Sequence, residues 1–202
     1  MTQEILNHIE SARAYYHQEQ FHEELVAARE EYHHLVGKLD EDHENFELLL
    51  QSFDDWYLCN YQLSSKGRSP LNDYVLNSAI VASLSRSLLN VHYGLYEYQG
   101  KGKFYDLFHD EELRTNNSTI MLIKGEIFSG RRVSIEKDHV FLPGMCIVPL
   151  EAKKILLQKM KPLKKDLSKR EIYHFLIKVE HFLIRYRKFK NLPLNQIFSF
   201  ST

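Results

Sequence analysis

The first ninety residues carry apolar positions at the three- and four-residue spacing that is typical of amphipathic helices. A first helix is predicted from Thr2 to the helix-ending Gly37, either straight or bent near residues 18–21. A further helix is predicted to begin at Ser69-Pro70, because serine is a good N-cap and proline fits the first helical position. Between them lies the clearest apolar stripe, formed by Phe46, Leu49, Leu50, Phe53, Trp56 and Tyr57.

Residues 91–150 change to short strands that are separated by glycine and proline turns. Five strands are predicted, over residues 92–98, 103–109, 119–124, 126–135 and 140–148. Short strands with turn residues at about every 8–12 positions are typical of a small antiparallel barrel or a curled sheet.

Helical spacing returns after the strands. One helix is predicted from Leu150 to Met160, and Pro162 ends it. Ser168 and Glu171 form a capping box that opens a second helix. The predicted fold class is therefore α+β, with an N-terminal helical region (1–90), a small β-domain (91–150) and C-terminal helices with a hydrophobic tail (151–202).

The charges are sorted along this pattern. Residues 1–56 contain 14 acidic and 3 basic residues, a balance of −11, whereas residues 151–202 contain 4 acidic and 13 basic residues, a balance of +9. The net charge of −1 conceals this separation. Ends of opposite sign are expected to dock on each other or on separate partners.

Composition and motifs exclude several classes of function. No apolar run is long enough for a membrane helix and no export signal is visible, so a cytoplasmic protein without membrane insertion is expected. Two cysteines 87 positions apart are expected as buried thiols rather than a disulfide. No nucleophile elbow or phosphate loop is present, so we predict no enzymatic activity and no cofactor. The basic residues match no nucleic-acid-binding module, which argues against nucleic acid as a partner.

Two groups of titratable residues are candidate sites. The pairs Glu19/His22 and Glu30/His33 have the spacing found in di-iron bundles, but they lie about 16 Å apart on one predicted helix. They cannot share one dinuclear centre, so no metal site is predicted. The neighbours Asp54 and Asp55 are expected on a solvated helix surface, because adjacent helical residues point about 100° apart.

Two apolar groups have alternative interpretations, as core or as contacts for a partner. The aromatic residues Phe53, Trp56, Tyr57 and Tyr61 form core or a groove for a partner peptide. The tail residues Ile197, Phe198 and Phe200 fold back on the core or insert into a partner. The sequence thus predicts a protein-binding or adaptor module, with a second copy of the chain among the candidate partners.

Residues 53–157 resemble bacterial proteins in which an aromatic Phe-x-x-Trp helix precedes a small β-domain. The resemblance is carried by Phe53-Asp54-Asp55-Trp56 and by Ile123-Lys124-Gly125-Glu126, and it implies no activity.

A more distant resemblance is to the PilZ domain, a small barrel that binds cyclic di-GMP. Asp106 matches the aspartate of its Asp-x-Ser-x-x-Gly motif, but Phe108 and Glu111 replace the serine and glycine. Arg131 and Arg132 follow this segment and are the candidate anion-binding residues. The alternative function is a degenerate PilZ-like or metal- or nucleotide-responsive sensor. The histidine-rich first helix favours a metal, and the small barrel with Arg131 and Arg132 favours an anionic ligand.

Overall fold

The computed structural model describes residues 2–38, 46–115, 122–136, 138–165, 168–189 and 191–199. The first predicted helix is bent, because α1 (Thr2–Tyr16) and α2 (His22–Val36) are separated by a short 3-10 turn at Glu19–Phe21. Gly37 ends α2 with a positive φ of 100°, and its N–H donates to the carbonyl of His33 at 2.9 Å. A glycine accepts this backbone conformation without a steric penalty.

Three further helices complete the N-terminal region. They are α3 (Phe46–Cys59), α4 (Pro70–Asn77) and α5 (Ala82–Leu89). The predicted cap of α4 is confirmed, since Ser69 Oγ accepts the N–H of Asn72 at 3.3 Å.

The strands form one antiparallel, curled half-barrel sheet, and the α+β class is confirmed. Its main path is β3-β2-β1-β4-β5, and β6 pairs with β4 beyond the end of β5. The strands are β1 (Val91–Gly100), β2 (Lys103–Asp106), β3 (Glu111–Arg114), β4 (Ile127–Ile135), β5 (Asp138–Phe141) and β6 (Cys146–Val148).

The strand boundaries differ from the prediction at three places. The second predicted strand ends at Asp106, and β3 follows as an additional strand. Residues 122–124 form no strand, and residues 119–121 of that prediction lie outside the described part. The last predicted strand is two strands, because Pro143 has no N–H for the ladder and the N–H of Gly144 donates to Asp55 of α3.

The two faces of the sheet have different neighbours. The outer face packs on the helices, with Leu95 and Ile127 in one cluster and Val133 and Val140 in another. The inner face holds a hydrophobic cluster of its own, formed by four aromatic residues and one leucine: Tyr96, Phe104, Phe128, Phe141 and Leu113. The alternation of side chains along each strand produces this separation.

The C-terminal region contains α6 (Lys153–Met160), α7 (Lys169–Lys188) and α8 (Leu194–Ile197), with a 3-10 turn at Leu150–Ala152 before α6. Ser168 caps α7 as predicted, since its Oγ accepts the N–H of Glu171 at 3.2 Å. The long helix α7 packs on both the sheet and α2, where Ile177 joins the cluster of Tyr32 and Trp56.

Candidate functional site

The four candidate aromatic residues, three in α3 and one just after it, lie in the core. Phe53, Trp56 and Tyr57 are each 1% exposed and Tyr61 is 5% exposed. They pack against one another and against Tyr32 of α2, with ring centroids 5.2–6.5 Å apart. The monomer therefore offers none of these rings to a partner unless its core opens.

The tail is docked as far as it is described. Ile197 and Phe198 are 0% and 2% exposed, and the Phe198 ring packs on Phe182 and Tyr186 of α7. Phe200, the third predicted contact residue, lies outside the described residues. The described part of the tail thus completes the core beneath α7.

The adjacent arginines Arg131 and Arg132 point to opposite faces of the sheet, because successive side chains of a strand alternate. Arg131 is completely buried toward the helices, where its guanidinium lies 4.2 Å from the centre of the Tyr93 ring. Its Nε donates to Oδ1 of Asn60 at 2.7 Å. The two guanidinium groups therefore cannot hold one anion together.

Arg132 lies on the inner face and is already neutralised. Its Nη2 is 3.6 Å from Asp106 and 3.5 Å from Glu111. Its Nη1 donates to Ser134 Oγ at 2.7 Å and lies 3.1 Å from Nδ1 of His139. Because arginine can only donate, Nδ1 of His139 must be unprotonated. The pKa of His139 is lowered, mainly by burial and secondly by the charge of Arg132, which agrees with an unprotonated Nδ1.

A buried polar network connects the sheet with α2 and α7. Glu180 of α7 accepts hydrogen bonds from the hydroxyls of Tyr32 at 2.8 Å and Tyr93 at 2.5 Å. Arg131 Nη1 lies 4.0 Å from the same carboxylate. Both terminal nitrogens of Arg131 are buried and have no hydrogen-bond partner among the described residues. Glu180 lies among the apolar positions of its helix. A charged residue at such a position was the one sign of this network in the sequence.

Asp55 is also buried, contrary to the predicted solvated surface. Arg13 of α1 donates to its Oδ1 at 2.9 Å, and the N–H of Gly144 donates to its Oδ2 at 2.7 Å. Burial raises the pKa of Asp55 to about 6, although Arg13 and Arg131 act in the opposite direction. The carboxylate joins α1 and the β5–β6 turn to α3, which is a structural role.

A half-enclosed cleft of about 560 Å³ lies between α1 and α4. Its anchor is Asp73, which is 1% exposed and accepts hydrogen bonds from Tyr16 and Lys66 on one oxygen. The other oxygen accepts from Arg68 at 2.9 Å and Asn77 at 3.0 Å. The cleft is lined by Tyr15, Tyr16, Lys66, Asp73, Tyr74, Asn77 and Ser78.

Hydrogen bonds control the charge of this cleft. Burial alone would raise the pKa of Asp73, but the hydrogen bonds from Lys66, Tyr16 and Arg68 outweigh it and lower the pKa to about 2. Asp73 is therefore ionised at neutral pH, and two cations surround one carboxylate. The site retains one positive charge beside tyrosine rings, an arrangement that suits an anionic, aromatic ligand. The sequence prediction did not include Asp73, because its partners come from a loop and another helix.

A shallow groove of about 520 Å³ follows one side of α6, and we call it the basic groove. Its apolar floor contains Leu150, which is 65% exposed, and the half-buried Leu157. Lys154 and Lys161 are exposed at its rim. The third lysine is occupied by the sheet, since Nζ of Lys153 donates to Glu97 at 3.0 Å.

The described histidines and cysteines do not have the grouping of a metal site. Within the described ranges, no three His, Cys, Asp or Glu side chains come together as ligands for a metal ion. Cys59 and Cys146 are free thiols, and burial raises the pKa of each to about 12. A thiol with this pKa is a poor nucleophile at neutral pH.

Comparison with family models, with curated proteins and with solved structures finds no match to this chain. The two family resemblances therefore remain predictions, and only geometry bears on function. Among the described residues, no helix is both long enough and apolar enough to cross a bilayer.

Proposed function

We propose that this chain is a non-enzymatic protein-binding module, and that its partner presents an acidic amphipathic helix to the basic groove. One observation carries the proposal: Leu150 of the apolar floor is 65% exposed, while lysines stand at the rim. Recognition of a helix in a groove uses apolar anchors at helical spacing, with charges that set orientation and partner choice.

The charge of the groove selects an acidic partner. Lys154 and Lys161 are exposed, and they belong to the C-terminal segment with its balance of +9. Glu151 is the acidic residue at the start of the groove helix, and its carboxylate accepts the hydroxyl of Tyr186 at 2.5 Å. A basic partner would meet these two exposed lysines and only one carboxylate, so the rim of the groove carries a net positive charge.

The test uses a fluorescein-labelled synthetic peptide in which glutamates flank leucines at i, i+3 and i+7. Anisotropy titration of the full chain should show saturable binding, and K154E/K161E should weaken it at least tenfold. Each exposed ion pair contributes up to about 1 kcal/mol, and tenfold in affinity corresponds to about 1.4 kcal/mol. Absence of binding to wild type, or turnover of a substrate by the purified chain, would overturn the proposal.

Two matched controls define the specificity of the binding. A peptide with lysine in place of each glutamate should not bind, because it meets like charge at the rim. The variant K103E/K124E makes the same charge change at two exposed positions outside the groove and should bind as wild type does. Equal weakening in both double variants would mean that net charge, and not the groove, attracts the peptide.

A second candidate function is the binding of a small anionic ligand in the Asp73 cleft, a different site from Arg131 and Arg132, to which the sequence assigned the nucleotide-responsive alternative. The supporting observation is that Asp73 positions Lys66 beside the tyrosine rings of the cleft, while Arg68 donates to its other oxygen. Thermal-shift titration with inorganic phosphate, adenosine monophosphate and cyclic di-GMP tests it. A shift with a nucleotide that disappears in K66M supports the candidate, whereas no shift with any of the three refutes it.

A further inference from the structure

The solvent-facing side of α2 carries an apolar residue between acidic ones. Glu23, Val26 and Glu30 are exposed, and Val26 keeps 44% of its surface in solvent. The opposite side of α2 is already occupied, since Ala28 and Tyr32 are buried against the remainder of the chain. The acidic face, defined by Glu23, Val26 and Glu30, therefore has no partner within the described monomer.

The acidic face and the basic groove have the same spacing with opposite charge. Glu23, Val26 and Glu30 stand at positions i, i+3 and i+7 of α2. Lys154, Leu157 and Lys161 stand at positions i, i+3 and i+7 of α6 and its C-cap. In both sets the charged residues are about 10 Å apart along the axis, and all three side chains fall within a stripe of about 60°.

Helices with such stripes can pack in either direction. In parallel packing the apolar residue of each stripe faces the other, and in antiparallel packing the two are offset by about 1.5 Å. Both directions place a lysine opposite each glutamate. Arg29, the basic residue next to the acidic face, is directed over the Phe53 ring, with its guanidinium 5.8 Å from the centroid.

We infer that a second copy of this chain is the partner: the acidic face of one copy docks in the basic groove of the other. The inference rests on the proposed function, because it names the occupant of the same groove. Both surfaces are exposed on the same chain, so neither is covered within a single copy. A two-fold pair forms the contact twice, once in each direction between the copies.

Charge-swap complementation tests this inference. The variant E23K/E30K makes the acidic face basic, and K154E/K161E makes the basic groove acidic. All four positions are exposed, so both variants should retain the fold, with circular dichroism as the check. When two copies of the same variant meet, like charges face each other at the contact. In a mixture, both contacts between the two variants pair opposite charges again.

Sedimentation velocity gives the readout on the full chain. The wild-type mass should rise with concentration from 24.0 kDa toward twice that value at about 0.1 M salt, and return to monomer at about 1 M. Each variant alone should remain monomeric, and the equimolar mixture should form a one-to-one dimer. The control E47K/E112K, at two exposed positions elsewhere, should associate as wild type does.

Three outcomes would overturn the inference: a wild type that stays monomeric, self-association of either variant at wild-type strength, or a mixture that does not associate. If the wild type stays monomeric but binds the acidic peptide, the inference fails and the proposed function stands. If it neither self-associates nor binds the peptide, both fail.

Discussion

The carboxylate of Asp73 should make stability depend on pH in a specific interval. Its folded pKa of about 2 lies below the ordinary value of 3.8, so ionised Asp73 stabilises the fold. This contribution is complete above pH 5, where Asp73 is ionised in both states, and is lost as pH falls through 3.8 toward 2. With about 1.36 kcal/mol per pKa unit, the difference corresponds to at most about 2.5 kcal/mol.

Solvent screening reduces this figure. The side chains of Lys66 and Arg68 are 37% and 40% exposed, so their attraction to Asp73 is weaker than that of buried partners. We therefore expect a pH-dependent contribution of about 1–2 kcal/mol. The hydroxyl of Tyr16 adds a neutral donor that is not screened in this way.

The assay compares urea unfolding of wild type and Asp73→Asn from pH 6 to pH 2.5. The variant should be less stable at pH 6, and the difference should shrink by about 1–2 kcal/mol as pH falls, because wild type alone loses the charge. Glu112→Gln, at an exposed position, should show little change. A difference between wild type and Asp73→Asn that stays constant over this range would refute the reasoning, since a purely steric defect does not titrate.

Three further predictions concern packing and charge. Phe198→Ala should destabilise the protein by about 3–5 kcal/mol in urea unfolding, because its ring is buried. Phe189→Ala removes a ring that is 44% exposed and should cost about 1 kcal/mol or less. Similar costs for the two variants would mean that the tail is not docked. Gly144→Ala should lower the thermal midpoint more than Gly67→Ala, because its Cβ would lie 2.6 Å from a backbone carbonyl of α3. At Gly67 the added Cβ meets open space, and only the positive φ of 61° costs stability. The opposite order would contradict this packing. Raising salt from about 0.1 to 1 M should shift the urea midpoint for unfolding of the monomer by no more than a few tenths of a molar. The reason is that apolar contacts and buried hydrogen bonds join α2 to α7. A large fall in this midpoint would show that surface charges hold the two helices together.

Local patterns predicted the helical regions and most of the sheet. The stripe of α3, the cap at Ser69 and the capping box at Ser168 depend on residues within a few positions of each other, so the sequence reveals them directly. The additional strand β3 was missed, because its four residues contain a single buried side chain, Leu113. Its identity as a strand depends on pairing with β2, which no local pattern encodes.

The candidate surfaces were likewise predictable only in part from the sequence. The sequence by itself determined that acidic and basic residues are sorted to opposite ends and placed on amphipathic helices, because charge and periodicity are properties of the local chain. Only the tertiary structure decided that the aromatic residues of α3 and Phe198 lie inside, and that Val26 and Leu150 remain outside. The tertiary structure also joined Asp73 to Lys66 and Tyr16. Burial depends on neighbours that are distant in the chain, so residues of the same type can lie in the core or on the surface.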